Sequence, residues 1–266
     1  MQQKSKKKIK PVSKPFLKGS AVDGTTAKSA VAFFFSLFLV IVANILLGTV
    51  SMWDAAWMNI LFNSALVLVI VAVYYQNGSA KGAVAVTQGE VMYQREADGR
   101  QVDPKDRAEC FHPLKGFIVG FLGTLPVLVC AVLLGVVAQK QYTGMGTLPT
   151  WINNLQRQKE MGDALAIYGG TVSLGLEGVL RLIVRMFIMP WVNMVGVSNR
   201  DGLLLLERLS ALVVLLPAVG YGLGYLQGVK IRTVVHTNIA LGKRKRAHKE
   251  NKQRKARISK GPEQLN

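Results

Sequence analysis

The chain has 266 residues, half of them hydrophobic, with a mean hydropathy of +0.27 and a net charge of +18. Apolar runs this long, parted by so few charges, exclude an ordinary soluble domain and indicate an integral membrane protein. The basicity sits at the ends: residues 1–28 hold eight Lys/Arg and one acid, residues 230–266 hold twelve and two, and the middle holds thirteen bases against twelve acids.

Residues 1–28 are Lys-rich, contain Pro11 and Pro15 and have few large apolar groups, which predicts a basic disordered tail. Ser29–Val50 includes FFFSLFLVIVANILLG and no charge. It is longer than a cleavable signal core and reads as an uncleaved first span. A turn with Trp53, Asp54 and Trp57 belongs at the headgroup level. Residues 55–75 form the second span, which ends in Tyr74 and Tyr75. Asn59 and Asn63 are four apart and share a helix face. That face suits an interhelical hydrogen bond, with Asn44 as partner, or a polar path.

Residues 76–115 are the polar connection between spans. Asp98-Gly99 lies between two strand-like pieces and is a hairpin signal. Asp103, Asp106, Glu109 and His112 recur every three residues, with Cys110 alongside. On a helix these are metal-ligating residue types. Mixed charges on a solvated segment explain them equally well, and no metal or cofactor is assigned. Cys110 lies in this connection and Cys130 in an apolar run, so no disulfide is expected.

The third span covers 116–138. Gly116 and Gly120 give it a small-residue face for close helix packing, and Pro126 is a potential kink. Residues 139–171 are polar, with a short helix expected over 150–166. The stretch 172–195 is apolar enough to span but carries Glu177, Arg181 and Arg185 at spacings of four. Three central charges cost about 8–10 kcal/mol on insertion, and the apolar residues of the stretch recover only about 3–5 kcal/mol. An amphipathic or re-entrant helix therefore fits better than a span. The last span covers about 209–228, with Glu207 and Arg208 just ahead of it. Gly220, Gly224 and Gly228 form its small-residue ridge, placed to pack against Gly116 and Gly120 or against a second copy. Residues 230–266 form a second basic tail that cannot build a core. Its charges include Lys243, Arg244, Lys245, Arg246, Lys249, Lys252, Arg254, Lys255 and Arg257.

The fold expected is an all-α integral membrane bundle. It has four transmembrane helices plus one amphipathic or re-entrant helix, the alternative being five transmembrane helices, and disordered basic termini. Lys/Arg-rich ends prefer the cytoplasm, which requires an even number of crossings and selects four in the cell membrane. No nucleophile elbow, zinc-protease helix or phosphate loop occurs, so a non-enzymatic protein is expected. Its cytoplasmic tails would bind anionic lipid headgroups. One alternative is RNA or ribosome contact through the C-terminal tail, since clustered Lys/Arg suffices for phosphate binding. In composition and layout, though in no motif, this resembles membrane insertases of the YidC/Oxa family. Those join an intramembrane arginine to a basic ribosome-binding tail, which here implies Arg181 or Arg185 as the groove residue. The other alternative is a small-solute transporter, or a subunit of a transport complex, built on Glu177, Arg181, Arg185, Asn59 and Asn63.

Overall fold

The computed structural model describes residues 11–50, 56–138, 176–196 and 199–258. Within them the elements are α1 (Gly24–Val50), α2 (Ala56–Ala97), α3 (Pro104–Glu109), α4 (Lys115–Val137), α5 (Leu176–Phe187), α6 (Met189–Val195), α7 (Arg200–Val214) and α8 (Leu216–Ile258), with no strand among the described residues. The Trp53 turn and the helix expected over 150–166 lie outside them.

Four helices are long and apolar enough to cross a membrane: α1, α2, α4 and the α7–α8 pair. The pair has only a one-residue break at Leu215, and Pro217 falls in the first turn after it, where its missing N–H breaks no helix bond. α4, by contrast, runs through Pro126 as one helix. α5 and α6 would count as a fifth crossing only if joined, and they meet at 92°.

Side-chain contacts set the directions. Ser36 Oγ on α1 lies 3.1 Å from Tyr74 Oη on α2, and Lys115 at the start of α4 pairs with Asp23 just ahead of α1. Further along, Gly123 on α4 meets Ala30 and Phe33 on α1, so α1 and α4 run together, and Gly78 and Gly82 on α2 meet Tyr221 and Tyr225 on α8 in the same order. α7 and α8 descend along the whole of α4, with Arg208 beside Gly135, Ser210 beside Ala131, Ala218 beside Gly120 and Tyr225 beside Gly116. α8 thus runs parallel to α2. Residues 11–23, the 97–115 connection and the end of α8 all lie at one end of the bundle, here called the base.

The core between these helices is apolar, with Leu37, Leu134, Val184, Ile188 and Val214 almost wholly buried. Outward faces are apolar too, as at Phe35, Leu39, Leu61, Leu68 and Val136. At about 1.5 Å per residue, the 42 residues of α2 and 43 of α8 far exceed the roughly 30 Å of a hydrocarbon core. Both therefore project well past the apolar zone at the base.

Three expectations are corrected. The ridge of Gly220, Gly224 and Gly228 does not meet Gly116 and Gly120. It lies on α2, against Val71, the Tyr75 carbonyl and Gly82, while Gly116 and Gly120 receive Tyr225 and Ala218. A glycine facing a bulky partner packs as closely as glycine facing glycine, and α2 supplies its own small residues, Gly78 and Gly82. The Asp98-Gly99 signal is not a hairpin but the end of α2. Gly99 takes a positive φ of 75°, and Arg100 N donates to Arg95 O at 2.9 Å, closing the last turn.

Third, part of the N-terminal tail is ordered. Residues 11–20 form an extended strap across the base, with Leu17 N donating to Gly89 O (3.1 Å), Gly19 N to Phe111 O (3.0 Å) and Ser20 N to Ala108 O (3.2 Å). Phe16 packs edge-on against Phe111, which stacks flat on Tyr225. Two aromatic contacts and three backbone bonds offset the ordering entropy that composition alone predicts will win.

Asp23 anchors the end of the strap, accepting from Lys115 Nζ at 2.6 Å and from both Thr25 and Thr26. Burial alone would raise its pKa. The Lys115 ammonium and the hydroxyls outweigh burial and bring the carboxyl down to about 2. A lowered carboxyl pKa stabilises above the unfolded value and stops doing so as pH falls through the folded one. The difference in thermal midpoint between wild type and Asp23→Asn should thus be constant above about pH 4 and close as pH falls toward about 2. A gap unchanged at pH 2 would show that the pair contributes nothing.

A side chain at Gly82 would run into the Tyr225 backbone, whereas one at Gly242 meets nothing. Gly82→Leu should destabilise the bundle by about 1–3 kcal/mol. Gly242→Ala should be neutral or stabilising by up to about 1 kcal/mol. Melting in one detergent checks both.

Candidate functional site

α5 is strongly amphipathic but turned inside out. Leu180, Arg181, Val184 and Phe187 are buried in the bundle, while Leu176, Val179, Leu182, Ile183 and Met186 face outward. A helix lying on a membrane surface would show its charges to water. Here the helix period that groups Glu177, Arg181 and Arg185 directs them inward, toward α7.

The acceptor is Glu207, which is only 2% exposed. Arg181 grips it with two bonds, Nε to Oε1 at 2.8 Å and Nη2 to Oε2 at 3.0 Å. Arg185 adds Nη2 to Oε1 at 2.6 Å. Arg181 Nη2 also reaches Glu177 Oε1 at 2.9 Å, one turn back. Among the described residues two acids and two bases thus meet, with Arg181 and Glu207 buried and Glu177 and Arg185 partly exposed at the edge. The bidentate fork is the strongest arrangement a guanidinium offers a carboxylate. Glu207 is held in turn by the docking of α7 on α4, and its carbonyl accepts from Ser210 Oγ at 2.7 Å.

The sequence showed the three charges on α5 but placed Glu207 outside the apolar zone. No periodicity connects positions 26 apart on different helices. The available signal was charge balance, since buried arginines require acids and Glu207 follows in the next apolar run.

Beside the cluster, the chain breaks between α5 and α6 at Ile188. Pro190 opens α6, and Asn44 Nδ2 donates to the Phe187 carbonyl at 3.0 Å, satisfying a helix-end acceptor. Asn63 Nδ2 donates to the Asn59 carbonyl at 2.8 Å within α2. The amide nitrogens therefore serve the helix break and the α2 backbone, instead of joining α1 to α2 as expected.

The acids of the connection do separate jobs. Asp103 caps α3 by accepting from Lys105 N, Asp106 faces Arg95 at 3.8 Å, and Glu109 accepts from Gln88 Nε2 at 2.9 Å. Among the described residues no three His, Cys, Asp or Glu side chains converge. A second buried cluster, which no local sequence pattern announces, pins α2 to α8 at the base. Glu90 accepts from Arg232 Nη2 at 2.7 Å and faces His236 Nε2 at 2.7 Å.

Beyond this clamp α8 becomes an arm. Every residue from Gly242 to Arg254 is exposed, including Lys243, Arg244, Lys245, Arg246, Lys249, Lys252 and Arg254, and Lys255 and Arg257 continue the same helix. At 100° per residue the seven bases from Lys243 to Arg254 point to all sides of the helix and leave no apolar face over that stretch. The tail expected to be disordered is therefore helical as far as Ile258.

Glu207→Ala would leave the buried Arg181 guanidinium and the half-buried Arg185 one without their shared acceptor, which should cost up to about 3–5 kcal/mol. Glu207→Gln should lose less. The double change Arg181→Met with Glu207→Leu should recover part of the loss, with melting in detergent as the readout. A Glu207→Ala protein as stable as wild type would mean that the cluster does not hold α5 in place.

No family model, curated protein or solved structure matches the chain.

Proposed function

We propose that the chain is a four-span protein of the cell membrane, with both ends in the cytoplasm, that presents a rigid basic helix to the phosphate backbone of RNA, such as that of ribosomes. The observation that carries this reading is the exposed, all-round basic helix at the end of α8. Even parity supports the orientation: four straight-through helices bring both Lys/Arg-rich ends to one side, which positive-inside sorting assigns to the cytoplasm. α5 and α6 form a re-entrant pair at the opposite end of the bundle.

The geometry favours RNA over the lipid headgroups of the protein's own membrane. If the apolar zone ends near Gly228, Lys243 is about 22 Å further along the helix and Arg254 about 39 Å. The Debye length at physiological salt is about 8 Å, so charges on a helix projecting in line with its span are screened from the leaflet it leaves. A helix that binds at a membrane surface also needs an apolar face to bury, and the arm has none. RNA requires only phosphates in reach of Lys/Arg. The absence of aromatic residues between the bases supports backbone contact without base stacking.

The insertase-like and transporter readings started from an arginine open to a client or solute. Arg181 and Arg185 instead share Glu207, which supports a holding role for the cluster. The protein is accordingly read as a binding protein, not an enzyme.

Inside-out membrane vesicles should bind a labelled single-stranded RNA, and right-side-out vesicles should not. Binding should weaken with salt at about −0.7 log units per phosphate neutralised, with nine bases setting a limit near −6. Removal of residues 243–266 should abolish it. Binding that survives this truncation, or appears only on right-side-out vesicles, sinks the reading.

A further inference from the structure

The basic arm has no covered side. Among the described residues, the last hydrogen bond that another element makes to α8 is from Val12 N–H to Thr237 Oγ1, at 3.0 Å. Thr237 lies six residues before Lys243, about 9 Å along the helix. From Gly242 to Arg254 every residue is exposed. With Lys243 at zero and about 100° per residue, Arg244 stands at about 100°, Lys245 at about 200° and Arg246 at about 300°. Lys249 follows at about 240°, Lys252 at about 180° and Arg254 at about 20°, so no gap between bases exceeds about 80°. The acid of this stretch, Glu250, is four residues from both Arg246 and Arg254, a spacing that sets it between two cations on one side.

A ligand that touches one side of a helix reaches about half of its directions. A single strand laid along the arm therefore meets about four of the seven bases and leaves the others in water. A groove with a phosphate backbone on either wall meets them all. Such a groove must admit a helix about 10–12 Å across. The major groove of B-DNA is wide enough but only about 8.5 Å deep, so the outer side of the helix stays outside it. The major groove of A-form RNA is deeper, but in a perfect duplex it is too narrow to enter. A bulge or internal loop opens it. We infer that the arm's ligand is a folded RNA, and that the arm lies lengthwise in a deep groove opened by a bulge or internal loop, with phosphates on both sides. This rests on the RNA reading above and deepens it by naming the class of RNA. Rigidity favours insertion: α8 is one helix from Leu216 to Ile258, held at Arg232 and His236 by Glu90, so little ordering is left to be done on binding.

The directions of the bases supply charge-matched probes. Lys245 and Lys252 lie within about 20° of each other on one side, and Lys243 and Arg254 within about 20° of each other on the opposite side. The double variants Lys245→Gln with Lys252→Gln, and Lys243→Gln with Arg254→Gln, each remove two charges from exposed positions past the span. Glutamine has nearly the helix propensity of lysine and arginine, so the two proteins differ only in which side of the arm is discharged.

Affinity and its salt slope are to be measured on inside-out vesicles of the full chain with a single-stranded RNA, a perfect RNA duplex, an RNA duplex with a central bulge and a DNA duplex. At about 0.1 M salt the bulged duplex should bind about tenfold or more tighter than the single strand. Its slope should be steeper by about 3, since seven contacts at the duplex value of about −0.9 replace about four at −0.7. The perfect RNA duplex and the DNA duplex should each bind more weakly than the bulged RNA. On the bulged RNA both double variants should lose about tenfold or more, by similar factors. If the bulged RNA binds no better than the single strand or the perfect duplex, the groove is overturned and the RNA reading stands. If one double variant loses affinity and the other binds as wild type, the contact is one-sided, which also overturns the groove. If the DNA duplex binds as tightly as the bulged RNA, an enclosing RNA groove is overturned. If DNA binds more tightly than every RNA, the RNA reading falls with it. If no nucleic acid binds, the function proposed above fails first.

Discussion

The carboxylate of Glu207 is the point on which the architecture turns. Two guanidiniums in an apolar surrounding are tolerated only where an acid meets them. One carboxylate has about four lone-pair sites and can serve both. Because Glu207 stands on α7, its bonds to Arg181 and Arg185 draw the charged side of α5 into the bundle and leave the apolar side outward. Phe187 then comes to Asn44, and at Ile188 the chain turns through 92°. A stretch long enough to pass straight through is thereby sharply bent. Four straight helices remain among the described residues, and the strap and α8 both reach the base. The charge cluster and the placement of the basic ends are thus linked by topology, although they lie at opposite ends of the bundle.

At the base the controlling contact is the close parallel pairing of α2 and α8. Glycines on both helices let their backbones touch, and Glu90 bonded to Arg232 and His236 extends the contact past the apolar zone. Side chains at the glycine positions would separate the helices and shift Glu90 from its partners. The pairing also supplies the surface on which the strap lies. Gly89 leaves space for the Leu17 carbonyl, and Phe111 and Tyr225 receive Phe16. Without a rigid α2–α8 pair, the arm would have no fixed direction and the strap no seat.

Much of this was legible in the residues. The four long apolar segments and the misfit of three charges at 177–185 both follow from transfer energies, which depend on local composition. The partners were not legible. Glu207 was assigned to the water side because a charge next to an apolar run is ordinarily excluded from it. Residues 11–20 were read as disordered because they are poor in large apolar groups, and their order comes from backbone bonds and from a single aromatic, Phe16. Asp98-Gly99 was misread because a helix C-cap and a hairpin turn both require a positive φ at glycine.

The sequence by itself determined which segments are apolar enough to cross a membrane and which carry charge that resists crossing. These are properties of single segments against solvent or lipid, additive along the chain. The tertiary structure alone decided that Arg181 and Arg185 meet Glu207, that the glycine ridge of α8 faces α2 and not α4, and that the N-terminal strap is rooted at Thr237. Each of these is a pairing between distant positions, and nothing in the local pattern of either partner encodes which of several chemically equivalent partners three-dimensional packing will bring within reach.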